Sequence, residues 1–136
     1  MSATKTETRY TEAIGRRKTA TARVRMTPST KGSFVVNEKD VKKYFPTEEL
    51  MTIANDALLV SKTEIKYDIS AKVMGGGIHS QAEAVRHGIA RLLVVFNEEA
   101  KSKVKKAGFL KRDPRQKERR KFGLKKARKA PQWSKR

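Results

Sequence analysis

Charge in this chain is gathered at one end, and that distribution limits its possible folds more than any other feature. From Ala100 to Arg136 there are 17 lysines and arginines against two acids, Asp113 and Glu118, a net of +15. The first 99 residues hold 16 bases, 12 acids and 40 of the 50 apolar residues. A core can therefore form only in the first part. From Lys111 onward the apolar residues are Phe122, Leu124, Ala127, Ala130 and Trp133, too few to offset an ordering cost of about 1–2 kcal/mol per residue. The expected organisation is a flexible N-terminal segment at 1–9, a globular body at 10–110 and a basic extended tail at 111–136 that orders only on a polyanion. A formal charge of +19 on 136 residues makes nucleic acid the expected polyanion. Each cation that neutralises a phosphate releases counterions, which drives such binding.

Other classes are excluded early. The longest apolar run, Leu92 to Phe96, is far short of the ~18 residues of a membrane-spanning helix. There are no cysteines, hence no disulfide frame, thiolate zinc site or cysteine nucleophile. Met1 to Arg9 lacks the apolar stretch of a secretory signal, so an intracellular protein with no membrane partner is expected.

The body has a readable pattern. Ala20, Ala22, Val24 and Met26 alternate with Thr19, Thr21, Arg23 and Arg25, the period of a half-buried strand. Gly15 to Lys18 is expected to form a hairpin turn before it, and Pro28 to Gly32 a second turn before a short strand at Ser33 to Val36. Asp40 to Phe45 reads as a short helix stopped by Pro46. Thr47 is placed to cap a new helix with Glu48 and Glu49 in its first turn, where the helix dipole favours acids. Ile65, Tyr67, Ile69, Ala71 and Val73 alternate as a further strand. After Gly75-Gly76-Gly77, the residues Ile78, Ala82, Val85, Ile89, Leu92 and Phe96 form the stripe of an amphipathic helix. A last basic helix starts at Asn97 and ends near Gly108, a suitable C-cap. Strands first, then helices with a late strand, predict an α+β fold on a small mixed or antiparallel sheet, with helices on one face.

The chemistry-bearing positions are few. Gly75-Gly76-Gly77 before a helix could rest a phosphate on helix N-terminal N–H groups, or could simply make a tight turn. The run fits neither of the two nucleotide-binding glycine motifs. His79 and His87 have no metal-ligand spacing, and His87 is expected on the polar face of its helix. Glu38, Asp40, Glu64 and Asp68 have lysine neighbours and read as solvated face residues. No enzyme, metal, cofactor or small-molecule substrate is expected. In the tail, Asp113-Pro114-Arg115 resets the chain direction. Phe122 and Trp133 lie among cations, placed to stack on bases, with docking on protein as the alternative for Trp133. From Lys111 the tail could span up to roughly 85 Å when extended.

Four motifs resemble the small-subunit ribosomal protein nine family, of the bacterial type. They are GRRKTATARV at Gly15 to Val24, GGGIHSQAEAVRHGIAR at Gly75 to Arg91, DPRQKERRKFGLKKAR at Asp113 to Arg128, and KAPQWSKR at Lys129 to Arg136. The chain departs from the family pattern at Ser80 (often Gly), Leu92 (commonly Ala) and Trp133 (more usually Phe). The resemblance implies the fold of the second domain of small-subunit ribosomal protein five, with a left-handed crossover, plus a long basic C-terminal extension. It implies cytoplasmic placement in the head of the small subunit, bound to the 3′ domain of its ribosomal RNA and to neighbouring head proteins. It also implies that Ser134, Lys135 and Arg136 reach the anticodon stem-loop of tRNA in the peptidyl site. Guanidinium suits Arg136 to a phosphate because the pairing is bidentate. Ribosomal RNA contacts are expected from Arg16, Arg17, Lys18, Arg23, Arg25, Gly75, Gly76, Gly77, His79, Arg86, Arg112, Arg115, Arg119, Arg120, Lys121, Lys125, Lys126, Arg128, Lys129 and Trp133.

Two rival readings share some of these features. A sequence-independent DNA-binding or nucleoid protein shares the charge but lacks a helix-turn-helix or dimer seam. A phosphoryl-transfer enzyme would share the glycine loop but lacks a visible base and metal-ligand set.

Overall fold

In the computed structural model, residues 9–135 are described. The expected flexible segment at 1–9 therefore lies, Arg9 apart, outside the described residues, as does Arg136.

Strands β1 (Thr11–Arg17) and β2 (Ala20–Ser29) form an antiparallel hairpin in which Arg17 faces Ala20. The turn is Lys18-Thr19, with Lys18 at φ 51°. Gly15 to Arg17 thus belong to the strand and not to the expected turn. Pro28 and Ser29 likewise stay in β2, facing Tyr67 and Lys66, so the second turn begins two residues later. Strand β3 (Ser33–Val36) is followed by a short strand β4 (Lys39–Asp40) that the sequence pattern did not reveal. Its turn, Asn37-Glu38, has φ of 47° and 66°, positive at both positions as a type I′ hairpin requires. The Asn37 amide stabilises this geometry. Its Nδ2 donates to the Val73 carbonyl at 3.1 Å, and its Oδ1 accepts from the Val73 N–H at 2.8 Å.

Helix α1 (Val41–Tyr44) is capped by Asp40, whose Oδ1 accepts from the Lys42 N–H at 3.2 Å. Helix α2 (Glu48–Ser61) starts after Thr47, but the Thr47 side chain makes no cap hydrogen bond. Strand β5 (Lys66–Met74) leads through the glycines into α3 (Ile78–Phe96). Helix α4 (Glu98–Ala107) is capped by Asn97, which accepts from the Glu99 N–H at 3.0 Å, and ends at Gly108 with φ 81°. Beyond Gly108 the described residues form no helix or strand.

The sheet order is β1-β2-β5-β3-β4. Strand β5 is antiparallel to β2 and parallel to β3, so the sheet is mixed and the fold α+β. A parallel neighbour requires a crossover, here the segment through α1 and α2. Alternate residues of β2 and β5, including Val24, Met26, Ile69 and Val73, are buried. They face α3, which lies across β1 and β2, while α2 and α4 pack on α3. This arrangement buries more of α3 than its stripe foretells: Ala84, Gly88, Ala90 and Leu93 are enclosed too. Ile78, which opens the stripe, is instead exposed, as is Ile65, expected in the strand alternation but lying just before β5. Gly15 is where β1 meets α3, with room for no side chain. A Cβ there would lie 1.9 Å from the Ala84 carbonyl oxygen.

Candidate nucleic-acid interface

The expected RNA-contacting cations fall into three places, and the first is the root of the tail. Arg17 leaves β1 with its side chain only 13% exposed. Its Nε donates to Glu83 of α3 at 2.8 Å, its second nitrogen lies 3.5 Å from Asp113, and its third donates to the Arg115 carbonyl. Arg115 folds back on Asp113 at 2.9 Å, and the Arg115 guanidinium holds the Asp113 carboxyl well below the usual carboxylate range. Arg112 donates to the Lys18 carbonyl at 3.3 Å, tying the tail to the β1–β2 turn. Arg86 pairs with Asp56 at 3.5 Å and sits over the Phe109 ring at 4.5 Å. Arg17 and Arg86 are therefore engaged within the chain, where they clamp residues 109–115 to the body.

His87 completes this root. It is not on a free polar face. The Arg16 N–H donates to its Nδ1 at 3.2 Å, and its Nε2 lies 3.3 Å from the Leu110 carbonyl. One nitrogen must accept and the other donate, so the neutral ring fits. Burial pushes its pKa down, and the charges of Arg91 and Arg112 push the same way.

The glycine loop sits at the same end of the body. Gly75 and Gly76 have φ of 76° and 63°, and a Cβ on either would crowd Thr19 or Ala20. They are needed for the turn against the β1–β2 hairpin. The Gln81 side chain donates to the Gly75 carbonyl at 3.0 Å and accepts from the Tyr44 hydroxyl at 2.6 Å, which braces the loop. Gly77 has open space around its Cβ position, and His79 beside it is exposed, with Nδ1 3.7 Å from Glu83. Lys18, Gly77, His79, Arg112 and Arg115 thus gather where the tail departs.

The second place is the open face of the sheet, carrying Arg16, Arg23 and Arg25, all exposed. Glu12 holds Arg25 at 2.8 Å and keeps its pKa raised. The third is the tail itself. Arg119, Arg120, Lys125, Lys126, Arg128 and Lys129 are all exposed, and Lys121 is half-buried. Glu118 takes both Lys121 at 2.7 Å and Arg128 at 2.8 Å, and those cations lower its pKa. Phe122 is fully exposed, and Trp133 is 81% exposed, so both aromatic faces are open. Lys135 is exposed, and Ser134 is described beside it. Among the described residues no group of His, Asp or Glu could hold a metal ion, and no helix is long and apolar enough to cross a membrane.

Residues 15–136 match the family described as Ribosomal protein S9/S16. The chain belongs to the ribosomal protein S9/S16 family. It is accordingly a small-subunit ribosomal protein, a constituent of a ribonucleoprotein that binds ribosomal RNA in translation. Family members are structural components, with ribosomal RNA and other ribosomal proteins as partners. The match covers the body and the tail alike.

In this member of the S9/S16 family the acids Glu83, Asp113 and Glu118 organise the cations, and sequence reasoning did not single out Glu83. The one available signal was its i, i+3 spacing to Arg86. The pairing of Arg17 with Glu83 crosses 66 residues and leaves no trace in local pattern. His87, expected on the polar face of its helix, is instead held by contacts 71 and 23 residues away, which leave no local trace either.

Proposed function

We propose that this S9/S16 chain docks its body, residues 10–110, on the ribosomal RNA of the small-subunit head, and sends residues 111–136 through that RNA to the peptidyl site. The crossover from β3 to β5 is left-handed in this reading, as in the fold that the motifs imply. The neighbours are the 3′ domain RNA and other head proteins, in the cytoplasm. Lys135 and Arg136, with Ser134, meet the anticodon stem-loop backbone of tRNA, and Arg136 supplies a guanidinium fork to one phosphate. No chemical step is assigned to the chain.

The observation that carries this reading is the contrast between the two ends of the tail. Its root is clamped by Arg17, Asp113 and Arg112, whereas residues 125–135 are without helix or strand and expose their cations. A segment anchored at one end and charged along its length can neutralise packed phosphates that a folded body cannot approach. Removal of Lys135 and Arg136 tests the tip. Small subunits carrying the shortened chain are expected to assemble normally and to bind peptidyl-site tRNA roughly tenfold more weakly, the value of one charge-assisted contact. Equal tRNA affinity on the two kinds of subunit would refute the tip assignment. Stable migration with duplex DNA instead of small subunits would refute the whole reading.

A further inference from the structure

The sheet face turned away from the helices carries an arrangement that folding alone does not explain. Arg23 on β2 stands directly opposite Lys72 on β5, and both side chains are exposed. Like charges at facing positions of an antiparallel pair lie about 5 Å apart at Cβ and destabilise the pair. The acid that pairs with Arg23 is shared. Glu12 is 3.5 Å from Arg23 but 2.8 Å from Arg25, whose guanidinium also lies over the Tyr10 ring at 4.4 Å. Lys72 makes no ion pair with any described residue. Arg25 faces Ser70 one row away. The face is hollowed at this point, with a cavity of about 530 Å³ lined by Arg23, Arg25, Asn37, Glu38, Ser70 and Lys72.

We propose that this hollow is a docking site for the RNA phosphodiester backbone, with one phosphate held between Arg23 and Lys72. The proposal deepens the ribosomal reading and rests on it. A phosphate there converts a repulsive cross-strand pair into two attractive ones. Arg23 offers a planar fork and Lys72 a point charge. The Ser70 hydroxyl donates to a neighbouring oxygen, a contact that positions without reading sequence. Arg25 lies two residues from Arg23 along β2, about 7 Å, a separation that suits the next phosphate of the same strand.

The test uses the full chain in assembled small subunits. The sequence has no cysteine, so Lys72→Cys gives a unique attachment point for an iron chelate that generates hydroxyl radicals. Leu59→Cys, 64% exposed on α2, reports from the helical side. Discrete cleavage of ribosomal RNA from position 72 is expected. Separately, Arg23→Ala with Lys72→Ala is expected to lower the salt dependence of RNA binding by about one counterion equivalent, for the one phosphate that the pair holds. Cleavage from position 59 with none from 72 would overturn the proposal, because the helical side would then face RNA. An unchanged salt slope would overturn it as well. Exclusion of the labelled chain from small subunits would instead overturn the ribosomal reading, and the sheet-face site with it.

Discussion

Gly15→Ala tests the closest approach in the fold. The added Cβ would lie 1.9 Å from the Ala84 carbonyl oxygen and 2.4 Å from the Gly88 nitrogen. Both are helix backbone atoms, so no side-chain rotation makes room. Ordinary contact begins at 3.4 Å, so α3 must retreat from β1 by about 1.5 Å. That retreat also loosens Val85 and Ile89, both fully buried. Overpacking costs typically ~1–3 kcal/mol, and a backbone clash on this scale belongs at the upper end. A loss of about 3 kcal/mol corresponds to a fall in melting temperature of roughly 12–24 °C for a body of about 100 residues. Far-ultraviolet circular dichroism of the full chain measures it. Two companions calibrate the result. Gly88→Ala meets Val24 Cγ2 at 2.6 Å, a less severe approach than 1.9 Å to a helix carbonyl, and gains helix propensity of about 1 kcal/mol, so its loss is smaller. Gly77→Ala meets nothing within 4 Å and loses at most the cap preference, about 1 kcal/mol. A Gly15→Ala chain that melts within 2–3 °C (roughly 0.5 kcal/mol) of the parent would refute the argument that β1 and α3 are in backbone contact.

Two further outcomes concern the tail root. Arg17→Ala removes the cation from Glu83 and Asp113, side chains 19% and 34% exposed. The cost lies between that of exposed and buried pairs, about 2 kcal/mol, and tryptic cleavage after Lys111 should rise relative to cleavage after Arg128; an unchanged ratio would show that the clamp does not hold the root. His87 is neutral in the fold because burial, Arg91 and Arg112 lower its pKa. The unfolded chain therefore binds the extra proton first as pH falls through about 6.5. Stability should decline as pH falls through about 6.5, and the decline should flatten in His87→Gln; equal slopes in the two chains would refute the role of His87.

Much of the fold was legible because its signals are local. Alternation at Ala20 to Met26 and Tyr67 to Val73 marked strands with one buried face, and the stripe from Ala82 to Leu92 marked the long helix. Asn97 and Gly108 marked the ends of α4 through side-chain and φ requirements. Errors arose where a residue has two uses. Gly15 was read as a turn residue, but its missing Cβ serves a helix crossing. Thr47 occupies the cap position without making the cap bond. The Asn37-Glu38 turn lacks glycine, and it is held by Val73, 36 residues away.

Residue types and their spacing set the partition of this protein: an α+β body that can bury a core, then a run of cations that cannot. That follows from composition and period alone, because burial and charge repulsion depend on residue type. Which cations are engaged within the chain depends on the folded arrangement. Arg17 and Arg23 look alike in the string, six residues apart. The first points to the edge where α3 and the tail root bring Glu83 and Asp113, and it is enclosed by them. The second points to the open side of the sheet, opposite Lys72. Charge is a property of the residue, but its pairing depends on what distant segments bring within a few ångströms.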